Sequence, residues 1–101
     1  MNKKVYLERL RFVIKKVHGA DSKHRETVPV VERWKGKIVW EGEVEVFDLL
    51  AHPKGKTCYA WAYSKDGTEH TTAVLELPPV ISPKTAVQVA IANEVKNKTA
   101  K

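Results

Sequence analysis

The sequence predicts an α+β fold in which a four-stranded antiparallel β-meander is flanked by N- and C-terminal helices, in the order α-β-β-β-β-α. Three observations predict it. The first segment has apolar residues at helical spacing. Four alternating segments then follow as two pairs, each joined by a glycine-bearing turn. A serine and a proline begin a final helical segment. The simplest architecture for this order is a two-layer sandwich with both helices on one face of the sheet.

The first helix is predicted over residues 5–17. Its apolar stripe repeats every three or four residues and consists of Tyr6, Leu7, Leu10, Val13, Ile14 and Val17. Val5 and Phe12 lie on the opposite side, where they could contact a partner. A strand stays open as an alternative, because β-branched residues lower helix propensity. Gly19 ends the segment, and the polar residues 20–27 are predicted to form a loop.

Residues 28–34 and 38–47 are predicted to form a hairpin around a three-residue loop at residues 35–37. That register pairs Trp34 with Ile38, Glu32 with Trp40, Val30 with Gly42 and Val28 with Val44. One face then carries Val28, Val30, Trp34, Ile38, Trp40, Val44 and Val46. The other carries Arg33, Glu41, Glu43 and Glu45, which predicts a solvated row of carboxylates. Phe47 and Leu49 break the alternation and predict a bulge or strand end near residues 46–47.

Residues 56–64 and 69–77 are predicted to form a second hairpin, whose turn SKDGT can close in two ways. A two-residue loop pairs Cys58 with Leu75 and Ala60 with Ala73. A three-residue loop pairs Tyr59 with Ala73 and Trp61 with Thr71. The three-residue loop is favoured, because only the glycine at position 67 then needs a positive φ.

The segment CYAWAY, residues 58–63, places an aromatic row on one side of the third strand. Each aromatic side chain buries about 150–250 Å², whereas a base stacked on an exposed ring gives only about 1–3 kcal/mol. The aromatic row is therefore predicted to be core, with its hydroxyls at a wet edge or cleft. The small row is predicted to face outwards and to form a flat contact for a second copy together with Val31, Val39, Val74, Val5 and Phe12.

The last helix is predicted over residues 83–96, after an extended connector that contains two adjacent prolines. Ser82 is a suitable N-cap and Pro83 a suitable first helical residue. The apolar stripe of this helix is Ala86, Val87, Ala90 and Ile91. The 101 residues of the chain suit a single domain over residues 1–101.

The net charge of +6 is uneven, since residues 1–25 hold eight basic and two acidic side chains. Of the 18 basic residues, 14 are lysines, which are less suited than arginine to bidentate recognition of phosphates or bases. The basicity permits a nucleic-acid or other anionic partner. Candidate basic contacts are Lys15, Lys16, Lys35, Lys37, Lys54 and Lys56.

The reactive side chains form no catalytic or metal-binding pattern. The single cysteine, Cys58, cannot form an intramolecular disulfide and favours a reducing, cytoplasmic location. The sequence contains no apolar stretch typical of a signal peptide or membrane span. The histidines at positions 18, 24, 52 and 70 have no zinc-site spacing, and the five glycines form no phosphate loop. We therefore expect no catalytic residue, no metal and no cofactor.

The sequence predicts a small, non-catalytic binding or protein-interaction domain that is soluble and forms a homodimer. The alternative is sequence-independent nucleic-acid binding through the basic N-terminal segment and the lysine-bearing loops. If the domain binds a small ligand, the candidate cleft or its rim is formed by Tyr59, Trp61, Tyr63, Trp34, His52 and His70.

Overall fold

The computed structural model describes residues 3–65 and 67–99, and the side chains of all of these except residues 65 and 94–99. Helix α1 spans Lys3–His18 and helix α2 spans Pro83–Thr99. The strands are β1 (Asp21–Trp34), β2 (Lys37–Leu50), β3 (Thr57–Lys65) and β4 (Thr68–Leu75). They form one antiparallel sheet in the order β1-β2-β3-β4. The predicted α+β class and α-β-β-β-β-α order are confirmed.

The two helices pack on opposite faces of the sheet, so the prediction that both share one face is wrong. Under α2, Ala86 and Val87 join a buried cluster with Val30, Val44, Val46, Tyr59 and Trp61. Under α1, Leu10 and Ile14 join a second cluster with Phe47, Leu49, Cys58 and Ala60. Phe47 and Leu49 therefore do not end the strand. They alternate correctly on the α1 face, while Val44 and Val46 face α2.

Both rows of the CYAWAY segment are buried over residues 58–61, and Ala62 and Tyr63 are half-buried. Tyr59 and Trp61 lie in the core under α2, which confirms the prediction for the aromatic row. Cys58 and Ala60 are fully buried under α1. The small row was predicted to face outwards, and this is wrong because a helix covers each face of the sheet. The flat contact predicted for a second copy therefore loses Cys58 and Ala60.

The second hairpin has the register that the sequence made less favourable. Cys58 pairs with Leu75, Ala60 with Ala73, and residue 65 with Thr68, which leaves a two-residue loop. The favoured three-residue loop is wrong, because Ala73 and Leu75 pack with the small row under α1. The packing of these core residues therefore determines the register, and it outweighs the preference that turn chemistry alone gives.

The first hairpin confirms the predicted pairs Val28–Val44, Val30–Gly42 and Glu32–Trp40. Nearer the turn, Arg33 pairs with Ile38 and Trp34 with Lys37, so the predicted pair of Trp34 with Ile38 is wrong. The loop consists of Lys35 and Gly36, with φ of +52° and +79°, as a tight two-residue hairpin turn requires. The pairing register therefore shifts by one residue between Glu32 and Arg33.

Strand β1 begins at Asp21, so the predicted loop over residues 20–27 is wrong. Asp21 pairs with Leu50, and a register shift between His24 and Glu26 interrupts the ladder. These residues are polar because β1 is an edge strand that is largely exposed. The polar composition of the first half of β1, and not a turn, is therefore the reason why the sequence predicts a loop there.

The helix predictions hold at both ends of the chain. Helix α1 begins two residues before the predicted range and ends one residue after it, which excludes the strand alternative. The N–H of Gly19, at φ +71°, donates to the carbonyl oxygen of Lys15 and ends the helix. Ser82 caps α2, because its Oγ accepts from the N–H of Thr85 at 3.2 Å. Among the described residues, neither helix combines the length and the apolar character that crossing a membrane requires.

Candidate functional site

The β1–β2 hairpin extends beyond the part of β2 that pairs with β3. Among the described residues, β3 pairs with β2 at residues 45–48, whereas β1 and β2 stay paired up to their turn. We call residues 28–44 the arm. Helix α2 contacts one side of it, where Gln88 Nε2 donates to Glu32 at 3.2 Å.

The other side of the arm is exposed, and we call it the arm face. Cross-strand partners share a face of a sheet, which groups Pro29 with Glu43, Val31 with Glu41, and Arg33 with Ile38. By alternation this is the face that carries α1 further down the sheet. The first described residue of α1, Lys3, lies beside Glu45. The arm face is formed by the exposed residues Pro29, Val31, Arg33, Ile38, Glu41 and Glu43.

The arm face combines exposed apolar side chains with charges of opposite sign at its two ends. Val31 and Ile38 are 38% and 48% exposed, which is high for large apolar side chains on a sheet. Arg33 lies on the turn side, and Glu41 and Glu43 lie towards the base. At the tip, Trp34 is 67% exposed, and the ammonium of Lys35 lies 5.9 Å from its ring centroid.

The third glutamate of the predicted solvated row, Glu45, is buried, and this part of the prediction is wrong. Its carboxylate accepts from Lys3 Nζ at 2.7 Å, from His24 Nε2 at 2.9 Å and from Thr27 Oγ1 at 2.5 Å. The register shift after His24 places both His24 and Thr27 on the α1 face, where they reach Glu45. The sequence signal for this cluster was the run of short polar residues that we assigned to a loop.

The Glu45 carboxylate is a structural anion. Burial alone raises the pKa of the Glu45 carboxyl, but the hydrogen bonds from Lys3, Thr27 and His24 outweigh burial and lower it. The hydrogen bond between Lys3 and Glu45 also raises the pKa of the Lys3 ammonium. A carboxylate with three donors and a lowered pKa is a poor general base. It instead ties the start of α1 to the centre of the sheet.

Only part of the predicted aromatic cleft comes together. Trp61 and Tyr63 line a cleft of about 360 Å³ between the sheet and α2, together with Trp40, whose ring meets Trp61 edge to face at 5.8 Å. His70 stacks on Tyr63 with ring centroids 5.4 Å apart. The sequence missed Trp40 as a lining residue because its partners lie on another hairpin and on α2.

The other predicted cleft residues lie elsewhere. The hydroxyl of Tyr59 donates to Glu76, and burial, together with this acidic neighbour, raises the pKa of Tyr59. Trp34 is at the tip of the arm. His52 orders the β2–β3 connection, because its Nδ1 accepts from the N–H groups of Lys54 and Gly55 at 3.1 and 2.9 Å.

The predicted basic contacts do not form one surface. Lys35 and Lys37 flank the β1–β2 turn, whereas Lys54 and Lys56 lie in the β2–β3 connection at the opposite end of β2. The sequence left open whether these loops share an end of the sheet, and they do not. Lys15 pairs with Asp21 at 3.5 Å, and Lys16 is exposed on α1.

The described side chains include a buried thiol and no metal-binding cluster. Cys58 is fully buried, and burial raises the pKa of its thiol to about 12, so little thiolate forms near neutral pH. Over residues 3–65 and 67–93, no cluster of three or more histidine, cysteine or carboxylate side chains is placed to hold a metal ion. Comparison with known proteins gives no match, whether to a family model, to a curated protein or to a solved structure.

Proposed function

We propose that this protein is a small non-catalytic interaction domain that forms a homodimer through its arm face. One observation carries the proposal. The arm presents exposed Val31 and Ile38, with Arg33 beside Ile38 and Glu43 at the other end, on a sheet face that the described residues of α1 leave uncovered. Exposed apolar side chains with a charged border are typical of protein-interaction surfaces.

A second copy suits this surface because its charges are self-complementary. The pairs Arg33–Ile38, Val31–Glu41 and Pro29–Glu43 lie at three successive levels, each about 7 Å apart. A two-fold axis through the middle level stacks the arms antiparallel, as an isologous contact requires. Arg33 of each copy then approaches Glu43 of the other, and Val31 packs against Val31 of the second copy.

The size of the arm face predicts a weak dimer. Three levels of a two-stranded ribbon measure roughly 14 Å by 5 Å between backbone atoms, and with side chains they fall at or below the low end of the ~1,200 Å² class of interfaces. We therefore expect association at tens to hundreds of micromolar.

Light scattering after size-exclusion chromatography over a concentration series tests the proposal. The wild type is expected to gain mass towards that of a dimer, and Ile38→Glu to stay monomeric. The matched control is Ile81→Glu, since Ile81 is 70% exposed in the connector before α2 and lies outside the arm. A wild type that stays monomeric throughout, or equal behaviour of the two variants, contradicts the proposal.

The two-fold arrangement also separates two neighbouring glutamates. Glu41 lies at the middle level, where it approaches Glu41 of the second copy. Glu43, in contrast, approaches Arg33 of the second copy. Neutralising Glu41 is expected to strengthen the dimer, and neutralising Glu43 to weaken it. We place this dimer in a reducing, cytoplasmic compartment, and the support for that location is the single buried cysteine.

Sequence-independent nucleic-acid binding is kept as the alternative proposal. Its support is the net charge of +6. The six candidate lysines lie at three separate places, which favours diffuse contacts over a defined groove. Titration of labelled duplex and single-stranded RNA and DNA tests it, because such binding must weaken steeply as salt rises. No binding at low salt removes this alternative.

A further inference from the structure

A cleft of about 590 Å³ lies between the first turns of α1 and the beginning of β1. Its basic lining residues are Lys3, Lys4 and Arg11 on α1 and Lys23 on β1, and its one acidic lining residue is Glu8. Of these, Lys3 is paired with Glu45 beside the cleft, and Arg11 is paired with Glu8. Leu7 and Leu50 add apolar surface. The lining therefore combines a net positive charge with apolar contacts. The cleft lies at the opposite end of β1 from the arm tip.

Arg11 is held in place at this cleft by two hydrogen bonds. Its Nε donates to the carbonyl oxygen of Ser22 at 2.8 Å, and its Nη1 donates to Glu8 Oε1 at 3.0 Å. A guanidinium that is already oriented loses less conformational entropy when an anion binds. The basic wall of the cleft is thus partly preorganised.

Ser22 supplies a second, independent observation. Its side chain lies on the α1 face, since Ser22 pairs with Leu49 of the core under α1, and it lines the cleft. Ser22 is 2% exposed, and its hydroxyl has no hydrogen-bond partner among the described residues. Buried hydroxyls are almost always hydrogen-bonded. An acceptor that arrives with a ligand accounts for this exception.

We propose that this cleft binds a small amphipathic organic anion. Its phosphate or carboxylate lies among the basic side chains and accepts a hydrogen bond from the Ser22 hydroxyl. Its apolar group contacts Leu7 and Leu50. This site is separate from the dimer contact proposed above, and binding here does not depend on dimer formation.

Titration of the ¹⁵N-labelled full chain, followed by NMR, tests the site with phenyl phosphate as the probe. Phenol and inorganic phosphate each supply one half of the probe, and both are expected to bind more weakly than phenyl phosphate. Phenylacetate supplies a carboxylate with a similar apolar group. The tighter of the two amphipathic probes identifies which anion the cleft prefers.

Variants locate the binding. Lys4→Glu is expected to weaken phenyl phosphate about three- to tenfold, since it replaces one attraction by a repulsion on α1 at the cleft. Ser22→Ala is expected to weaken it by a similar factor through loss of a donor to a charged group, without lowering the melting temperature of the free protein. The control is Lys84→Glu at the start of α2, on the other face of the sheet, which should leave binding unchanged.

Three results overturn the proposal. The first is the absence of saturable chemical-shift changes with either amphipathic probe. The second is equal weakening by Lys4→Glu and Lys84→Glu, which would mean a non-specific effect of net charge. The third is wild-type affinity in Ser22→Ala, which would leave the buried hydroxyl without a role in the site.

Discussion

Lys3 and Glu45 form an ion pair, with 2.7 Å between Nζ and Oε2, in which the ammonium is half exposed and the carboxylate is almost fully buried. The pair joins the first turn of α1 to the middle of β2. A buried carboxylate is tolerated only where donors replace its lost hydration. His24 and Thr27 complete that set, so residues of α1, β1 and β2 together hold the first described turn of α1 on the sheet.

The pH dependence of stability should report this cluster. The folded pKa of Glu45 lies below its ordinary value of 4.5. Its contribution is therefore fully present above the unfolded pKa and is lost as pH falls through the folded pKa. We expect Glu45→Gln to lower the free energy of unfolding by about 1–3 kcal/mol at pH 7, and by clearly less near pH 3, as measured by urea unfolding.

The control for that experiment is Glu41→Gln. Glu41 is exposed on the same strand, and it should change stability by no more than about 0.5 kcal/mol at either pH. Both unfolding curves should be recorded at low protein concentration, because the proposed dimer would also stabilise the folded state. An equal loss in Glu45→Gln at pH 7 and near pH 3 would show that the lost stability is packing and not charge.

Two tryptophans should respond in opposite ways to the same substitution. Trp61 is buried under α2, so Trp61→Ala should cost about 3–5 kcal/mol. Trp34 is exposed at the arm tip, so Trp34→Ala should change the monomer's stability by less than about 0.5 kcal/mol. Urea unfolding of both variants measures the difference. Comparable losses would mean that the arm tip is packed in the monomer.

The turn of the first hairpin offers a stabilising substitution. Lys35 has a positive φ, which costs a lysine more than an asparagine, and Asn-Gly is the preferred sequence for this turn. Lys35→Asn should therefore raise the free energy of unfolding by a few tenths to about 1 kcal/mol. Lys37→Asn, which removes the same charge just after the turn, should not. Destabilisation by Lys35→Asn would instead support a three-residue loop at residues 35–37.

Cys58 should be unreactive in the native protein. Its thiol is buried, and burial raises its pKa to about 12, so both access and thiolate formation are suppressed. A disulfide reagent such as DTNB should react with no thiol in buffer at pH 8 and with one thiol in denaturing urea. Rapid reaction in buffer would mean that α1 does not stay closed over the small row.

The element order could be predicted because it depends on local signals. The helical stripe around Leu10 and Ile14, the glycines at the turns and the Ser82–Pro83 start are all readable along the chain. The register of the first hairpin near Val28 and Val44 was also predictable, since valines alternate there with polar residues.

The placement of the helices was not predictable in the same way. Phe47 and Leu49 were interpreted as a break because only one face of the sheet was expected to be apolar. Two covered faces make both rows of β2 apolar towards its end. Which helix covers which face depends on contacts across the whole chain, and no local pattern records them.

The arm face was partly foreseen and partly missed. Val31 was already placed on an outward face, but the arm became visible only once β3 was seen to pair with β2 at residues 45–48. In the sequence Glu45 resembles Glu41 and Glu43, but in the structure Lys3 of α1 together with His24 and Thr27 of β1 surrounds its carboxylate. Burial of a single charge therefore could not be derived from the strand alone.

Sedimentation equilibrium of a charge-exchange pair tests the homodimer most directly. If Arg33 approaches Glu43 of the second copy, Arg33→Glu and Glu43→Arg should each weaken the dimer, and the double variant should restore it towards the wild-type dissociation constant. A double variant that associates no better than the single ones, or a wild type that is monomeric at hundreds of micromolar, would contradict a dimer built on the arm face.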